Sequence, residues 1–133
     1  MHNGSQPPGC LALCLLGTGP YMREHYDKLV RDRIPYIIQK NGQRPFWEQY
    51  PFDSSFCEIL LKKLQEEVDE LKKSGIQPNF ETLDEFADVL EVLYALADLI
   101  DAVPQDLEHH RYRRSVERGS FRKRIRLLYV DRP

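Results

Sequence analysis

The sequence has few cysteines and no long hydrophobic run. Its three cysteines, Cys10, Cys14 and Cys57, are an odd number without zinc-type spacing, so they do not form the disulfide framework of a small secreted protein. The apolar run from Cys10 to Leu16 is too short to span a bilayer and lacks the basic flank of a secretory signal. These absences favour a cytoplasmic protein without a membrane partner.

The sequence also lacks a Walker motif, a GxGxxG loop, internal repeats of solenoid length and low-complexity segments. Its 133 residues fit one domain, and 41% hydrophobic with 30% charged residues is an ordinary globular composition. The first 21 residues differ from the rest. We interpret residues 1–21 as a disordered or cloning-derived leader, with Met22 as the natural start, and residues 22–133 as the domain.

Charge is distributed unevenly along the chain, although the net charge is only -2. From Glu58 to Asp101 there are twelve acids against four lysines. From Arg111 to Arg126 there are seven arginines and one lysine against a single glutamate. Such a chain can hold a cation and an anion together, as in metal-bound phosphate, or it can self-associate through the two regions.

The periodicity of apolar residues predicts an all-α protein. We expect helices over 35–40, 56–73, 83–102 and 104–118, with Thr82 as the N-cap of the third helix and Glu85 as its capping-box partner. Asn41-Gly42, Ser74-Gly75 and Gly119 are the expected stops. The segment Arg124–Val130 has β-like character but is too short to form a sheet alone.

The third predicted helix is apolar on nearly every side, except for a narrow stripe of Asp84, Glu91 and Asp98. A helix of this kind is expected to be buried all round. One chain offers too few helices to cover both faces. We therefore expect a helical bundle in which two chains form a four-helix core, so that the protein is at least a dimer.

Two pairs of carboxylates dominate the helices. Glu67 and Glu70 lie three residues apart on the second helix, and Glu85 and Asp88 lie three apart on the third, so each pair shares a helix face. Side by side, the helices would bring four like charges together, and a hard cation such as Mg2+ is their natural partner. The alternative is a solvated face with i, i+4 lysine pairs, which is the simpler explanation for Glu66.

The second pair carries more weight than the first. Glu85 and Asp88 lie off the stripe of Asp84, Glu91 and Asp98, on a direction that later apolar residues continue. Acids on an apolar face are hard to explain by solvation and indicate a half-buried site, although Glu85 could also serve the helix start. No histidine has matching spacing, which favours an oxygen-preferring cation over zinc or iron.

Basic side chains could bind the phosphates of a substrate held by such a cation. Our candidates are Lys28 and Arg31 near the start of the domain, and Arg118 and Lys123 near its end. The Arg111–Arg126 segment could instead bind nucleic acid. The long acidic middle of the chain would repel a duplex, so nucleic acid is not the expected partner.

The carboxylate pattern resembles a known signature. Glu66-Glu67-x-x-Glu70 followed by Glu85-x-x-Asp88 resembles the EExxE…ExxD motif of the all-α nucleotide pyrophosphohydrolases, which include MazG, the all-α dUTPases and phosphoribosyl-ATP pyrophosphohydrolase. The blocks YDKLVRDRIP, EFADVLEVLYALA and ERGSFRKRIRL look like the opening, second metal helix and tail of the MazG-like, phosphoribosyl-ATP-pyrophosphohydrolase-like subgroup. The resemblance covers about Tyr26 to Val130.

The resemblance implies hydrolysis of a nucleoside triphosphate, or a related nucleotide, to the monophosphate and pyrophosphate. It implies Mg2+, or Mn2+ in its place, on Glu67, Glu70, Glu85 and Asp88, with Glu66 supporting the metal or orienting water. Glu66 and Glu67 are then the catalytic residues, and a homo-oligomer is expected. The competing hypothesis is a non-catalytic helical interaction or regulatory module with a basic C-terminal segment that binds nucleic acid.

Overall fold

The computed structural model describes residues 21–133, and the predicted leader lies outside the described residues except for Tyr21. The described chain contains four α-helices and no strand, which confirms the all-α prediction. The helices are α1 (Ile34–Lys40), α2 (Phe56–Ser74), α3 (Phe80–Asp98) and α4 (Pro104–Arg118). The chain divides into two compact units, the first ending at Lys63 and the second covering Leu64–Pro133. Within residues 21–133, none of the helices has the length and apolar character needed to cross a membrane.

The first unit contains α1 and the start of α2. Pro35 lies in the first turn of α1, where its missing N–H costs nothing, and Asn41 follows the last residue. Gly42 then adopts a φ of 81°, as expected for the Asn-Gly stop. Before α2, the Asp53 carboxylate accepts hydrogen bonds from the Ser55 hydroxyl and, at 2.8 Å, from the Ser55 N–H. The hydroxyl bond first and the N–H bond second lower the pKa of Asp53.

Asn79, not Thr82, caps the start of α3. The Asn79 side-chain oxygen accepts from the Thr82 N–H at 2.9 Å, so α3 begins three residues earlier than predicted, at Phe80. Thr82 is buried in the first turn, and its hydroxyl accepts from the Gln77 N–H at 3.0 Å. The predicted Thr82–Glu85 capping box is therefore wrong, and Glu85 lies beyond the first turn, where it has no capping role.

The end of α3 is also earlier than predicted. The last helical residue is Asp98, and the Asp101 N–H bonds to the Asp98 carbonyl while the Ala102 N–H bonds to the Ala97 carbonyl. This pair of bonds is a Schellman motif, and Asp101 takes its left-handed position with a φ of 57°. The prediction missed this turn because the motif usually has glycine at that position.

The last helix, α4, begins and ends where the sequence predicts, and an exposed segment follows it. Asp106 accepts from the Val103 N–H at 2.9 Å at the start of α4, and Gly119 (φ 84°) ends the helix as predicted. Residues 119–133, which we call the C-terminal tail, are all exposed. The β-like segment Arg124–Val130 forms no strand, because the described chain contains no other strand for it to pair with.

One face of α3 stays exposed within the chain. Its outer face consists of Leu83, Phe86, Leu90 and Leu93, which are 58%, 42%, 42% and 37% exposed. On the opposite side Val92 is buried. The four helices of a single chain thus leave this face uncovered, and the burial of α3 on all sides, which is expected only from pairing with a second chain, stays a prediction.

Candidate metal centre

Three of the predicted carboxylates meet in the second compact unit. Glu67 from α2 and Glu85 and Asp88 from α3 each present one oxygen, and these oxygens all lie within 4.8 Å of one another. The i, i+3 spacing on α3 places Glu85 and Asp88 on the side of the helix that also carries buried Val92. Glu67 reaches the same volume from the other helix.

The cluster is withdrawn from solvent. Glu67 is only 7% exposed, and Glu85 and Asp88 are half-buried. Glutamate and aspartate are among the residues that proteins rarely bury fully, because a buried carboxylate loses much of its hydration. Three acids gathered in one partly desolvated volume repel one another, and a positively charged group that shares the volume reduces this repulsion.

Glu85 shows the electrostatic consequence most clearly. Partial burial raises the pKa of Glu85 above its ordinary value, and the negative charges of Glu70, Asp88 and Glu67 raise it further. One of its oxygens, Oε2, is buried and accepts no hydrogen bond within the described chain. A buried carboxylate oxygen without a donor is unusual and points to a ligand that supplies positive charge.

The donor set fits a hard divalent cation. All three ligands are carboxylate oxygens, the type that Mg2+ prefers, with metal–oxygen distances of about 2.1 Å. Two ligands on opposite sides of such an ion would lie about 4.2 Å apart. The observed oxygens, all within 4.8 Å, therefore need only small side-chain movements to share one ion.

The remaining two predicted acids lie beside this cluster. Glu70 is exposed and outside the group of three, yet after burial its negative charge contributes most to the raised pKa of Glu85. Glu66 is half-buried on the same helix as Glu67. The structure thus brings three of the four predicted metal ligands together and leaves Glu70 at the edge.

The four predicted phosphate-binding residues are all exposed. Lys28 and Arg31 belong to the first compact unit, where the Lys28 ammonium lies 5.6 Å from the centre of the Tyr26 ring. Arg118 ends α4, and Lys123 lies in the C-terminal tail. Within residues 64–133, no ion pair joins either of these two side chains to the three carboxylates.

Sequence reasoning missed the residue that caps the start of α3. This residue is Asn79, whose side-chain oxygen accepts from the Thr82 N–H, so that α3 begins at Phe80. The signal was present, because asparagine is as good an N-cap as serine or aspartate. Thr82 drew attention instead because a glutamate follows it at the capping-box spacing.

The chain matches no protein-family model, no curated protein and no solved structure. The resemblance to the all-α nucleotide pyrophosphohydrolases therefore stays a prediction, and the carboxylate geometry is the independent observation beside it.

Proposed function

We propose that this protein is a cytoplasmic, Mg2+-dependent nucleotide pyrophosphohydrolase with a house-cleaning role. It would cleave a nucleoside triphosphate, or a related nucleotide, to the monophosphate and pyrophosphate. The observation that carries the proposal is the cluster of Glu67, Glu85 and Asp88, in which Glu85 keeps a buried oxygen without a hydrogen-bond donor. The resemblance of the EExxE…ExxD pattern adds the substrate class.

Each acid has a separate task in this proposal. Glu67, Glu85 and Asp88 hold the cation, and Glu70 approaches from the exposed edge as a fourth ligand. When bound, Mg2+ supplies Lewis-acid neutralisation of the phosphate charge and makes a water molecule more acidic. Glu66 orients the attacking water. Glu67, the next residue on α2, holds the cation.

The proposed function also includes residues that bind the substrate phosphates and a second copy of the chain. Lys28, Arg31, Arg118 and Lys123 are the proposed contacts to phosphate, because arginine and lysine both bind phosphate oxygens well. Self-association into at least a dimer is supported by the exposed outer face of α3. A second copy that laid its own α3 against this face would give a four-helix core.

The test is pyrophosphate release from a panel of nucleotides, with Mg2+ and with a chelator in its place. We expect release that needs Mg2+ and that falls by about 100-fold or more in Asp88→Asn, because one cation ligand loses its charge. The matched control is Asp69→Asn, the same substitution at an exposed residue of α2. There the amide oxygen can still accept the hydrogen bond from the Gln65 side chain.

Two results would count against the proposal. If no nucleotide in the panel gives metal-dependent release of pyrophosphate, the protein is not this enzyme. If Asp88→Asn and Asp69→Asn are equally active, the protein can still be an enzyme, but this carboxylate cluster is not its active site.

A further inference from the structure

The C-terminal tail exposes apolar side chains that a single chain does not cover. After the turn closed by the Arg124 N–H and the Phe121 carbonyl, the chain runs on without secondary structure. Its large apolar residues are 66–97% exposed, namely Phe121, Ile125, Leu127, Leu128, Tyr129 and Val130. A contiguous apolar segment of this size marks an interaction site more often than a free end.

A complementary surface lies in the same compact unit, at the junction of α3 and α4. An open hollow of about 340 Å³ is lined by Glu91, Tyr94 and Asp98 of α3 and by Val103 and Pro104 at the start of α4. Glu91 and Asp98 are exposed, and within the described chain neither forms an ion pair. The hollow thus offers two carboxylates, an aromatic ring and an apolar wall.

The two surfaces are complementary in charge, and the spacing of their charges is compatible with contact. The tail carries Arg124 and Arg126 among its apolar residues, and arginine suits both carboxylates and aromatic faces. Arg124 and Arg126 are two residue steps apart, which span about 6.6 Å in extended chain, whereas Glu91 and Asp98 are seven steps apart, which rise about 10.5 Å along the helix. The long arginine and glutamate side chains can cover the difference of about 4 Å.

The chain does not bring these surfaces together by itself, because the tail and the two carboxylates are both exposed in it. We propose that the tail of one chain docks in the α3–α4 hollow of a second copy, with Arg124 and Arg126 against Glu91 and Asp98. Each chain of the dimer contributes its tail to the hollow of the other. These contacts add to those of the paired outer faces of α3. The proposal rests on the self-association in the proposed function, but not on the metal centre or on catalysis.

A charge-reversal exchange tests this docking. The tail variant is Arg124→Glu with Arg126→Glu, and the hollow variant is Glu91→Arg with Asp98→Arg. Each alone places like charges together, so we expect its dimer to be weaker than that of the wild type by at least about tenfold in sedimentation velocity. In an equal mixture of the two variants, both contacts regain opposite charges, and dimerisation should return as a heterodimer.

The mixture separates docking between chains from docking within one chain. Contact within a chain cannot be rescued by mixing, so a mixture no tighter than its components would overturn the proposal. The chain with all four substitutions is the folding control and should dimerise like the wild type. Wild-type dimerisation in both double variants would show that these charges do not contribute to the dimer and would also overturn the proposal.

Failure here and failure of the proposed function give different results. None of the four substituted residues belongs to the carboxylate cluster, and the readout is the oligomeric state. If the charge-reversal mixture dimerises as expected but no nucleotide is hydrolysed, the docking stands and the enzymatic function falls. If the wild type is monomeric and hydrolyses nucleotides, the docking and the self-association fall and the enzymatic function stands.

Discussion

Substitution of Glu85 by glutamine should have opposite effects on stability with and without Mg2+. In the metal-free protein, burial and the charges of Glu70, Asp88 and Glu67 raise the pKa of Glu85, so its ionised form is disfavoured by folding. Glutamine has nearly the same shape and no charge. We therefore expect Glu85→Gln to have a higher Tm than the wild type at neutral pH in a chelator.

The pH dependence follows from the direction of this shift. Because the pKa of Glu85 is raised in the folded state, its ionisation costs stability above the raised pKa and costs nothing below the ordinary value of 4.5. The advantage of Glu85→Gln should be full at neutral pH and shrink as the pH falls to 4.5 and below. The measurement is Tm in chelator over this pH range.

Mg2+ should reverse the order. A cation that binds only the folded state at about 100 times its Kd stabilises by about 2.7 kcal/mol. For a chain of this length, that corresponds to an increase in Tm of roughly 10 °C. We expect an increase of this size in the wild type, and a much smaller one in Glu85→Gln, since one of the three clustered carboxylates has lost its charge.

Glu81→Gln is the matched control, because Glu81 is exposed in the first turn of the same helix and does not contribute to the raised pKa of Glu85. An acid in a first turn is favoured by the helix dipole, so its neutralisation should give no gain in stability. A lower Tm of Glu85→Gln in chelator, or an equal response of both variants to Mg2+, would refute the reasoning about the cluster.

Two further predictions concern the ends of α3. Thr82→Val should lower the free energy of unfolding by about 0.5–1.5 kcal/mol, because the part-buried hydrogen bond from the Gln77 N–H to the Thr82 hydroxyl is lost. Thr82→Ser keeps the hydroxyl and should retain most of the stability, and urea unfolding of the three proteins decides. Asp101→Gly should raise the free energy of unfolding by about 0.5–1 kcal/mol, because glycine adopts the left-handed position of the Schellman motif without strain. A destabilised Asp101→Gly would show that the aspartate side chain has its own role in this turn.

The fold was predictable where local rules decide it. Pro35, Pro104 and Gly119 set helix boundaries through their own backbone restrictions, and the structure has the corresponding starts and stops. The ends of α3 were not predictable in the same way. Both Asn79 and Thr82 are suitable N-cap residues, and which of them caps α3 depends on the hydrogen bonds that the folded loop forms. At the other end, Asp101 occupies a position usually held by glycine, so the sequence does not indicate the turn there.

The sequence predicted that the candidate site consists of carboxylates, but not which carboxylates meet in it. The spacing of Glu85 and Asp88 fixes that both lie on one face of α3, whatever packs against it. Spacing on α2 treats Glu67 and Glu70 alike. The structure separates them, because Glu67 is buried against the cluster while Glu70 stays in solvent at its edge.

The sequence by itself determined that the chain is helical and that its acids come in pairs on single helix faces, because backbone propensity and the helical repeat act within a few residues. Only the tertiary structure decided which acids meet, which oxygen of Glu85 is left without a donor, and which face of α3 stays exposed. These properties depend on distances between residues far apart in the chain. No periodic pattern contains those distances.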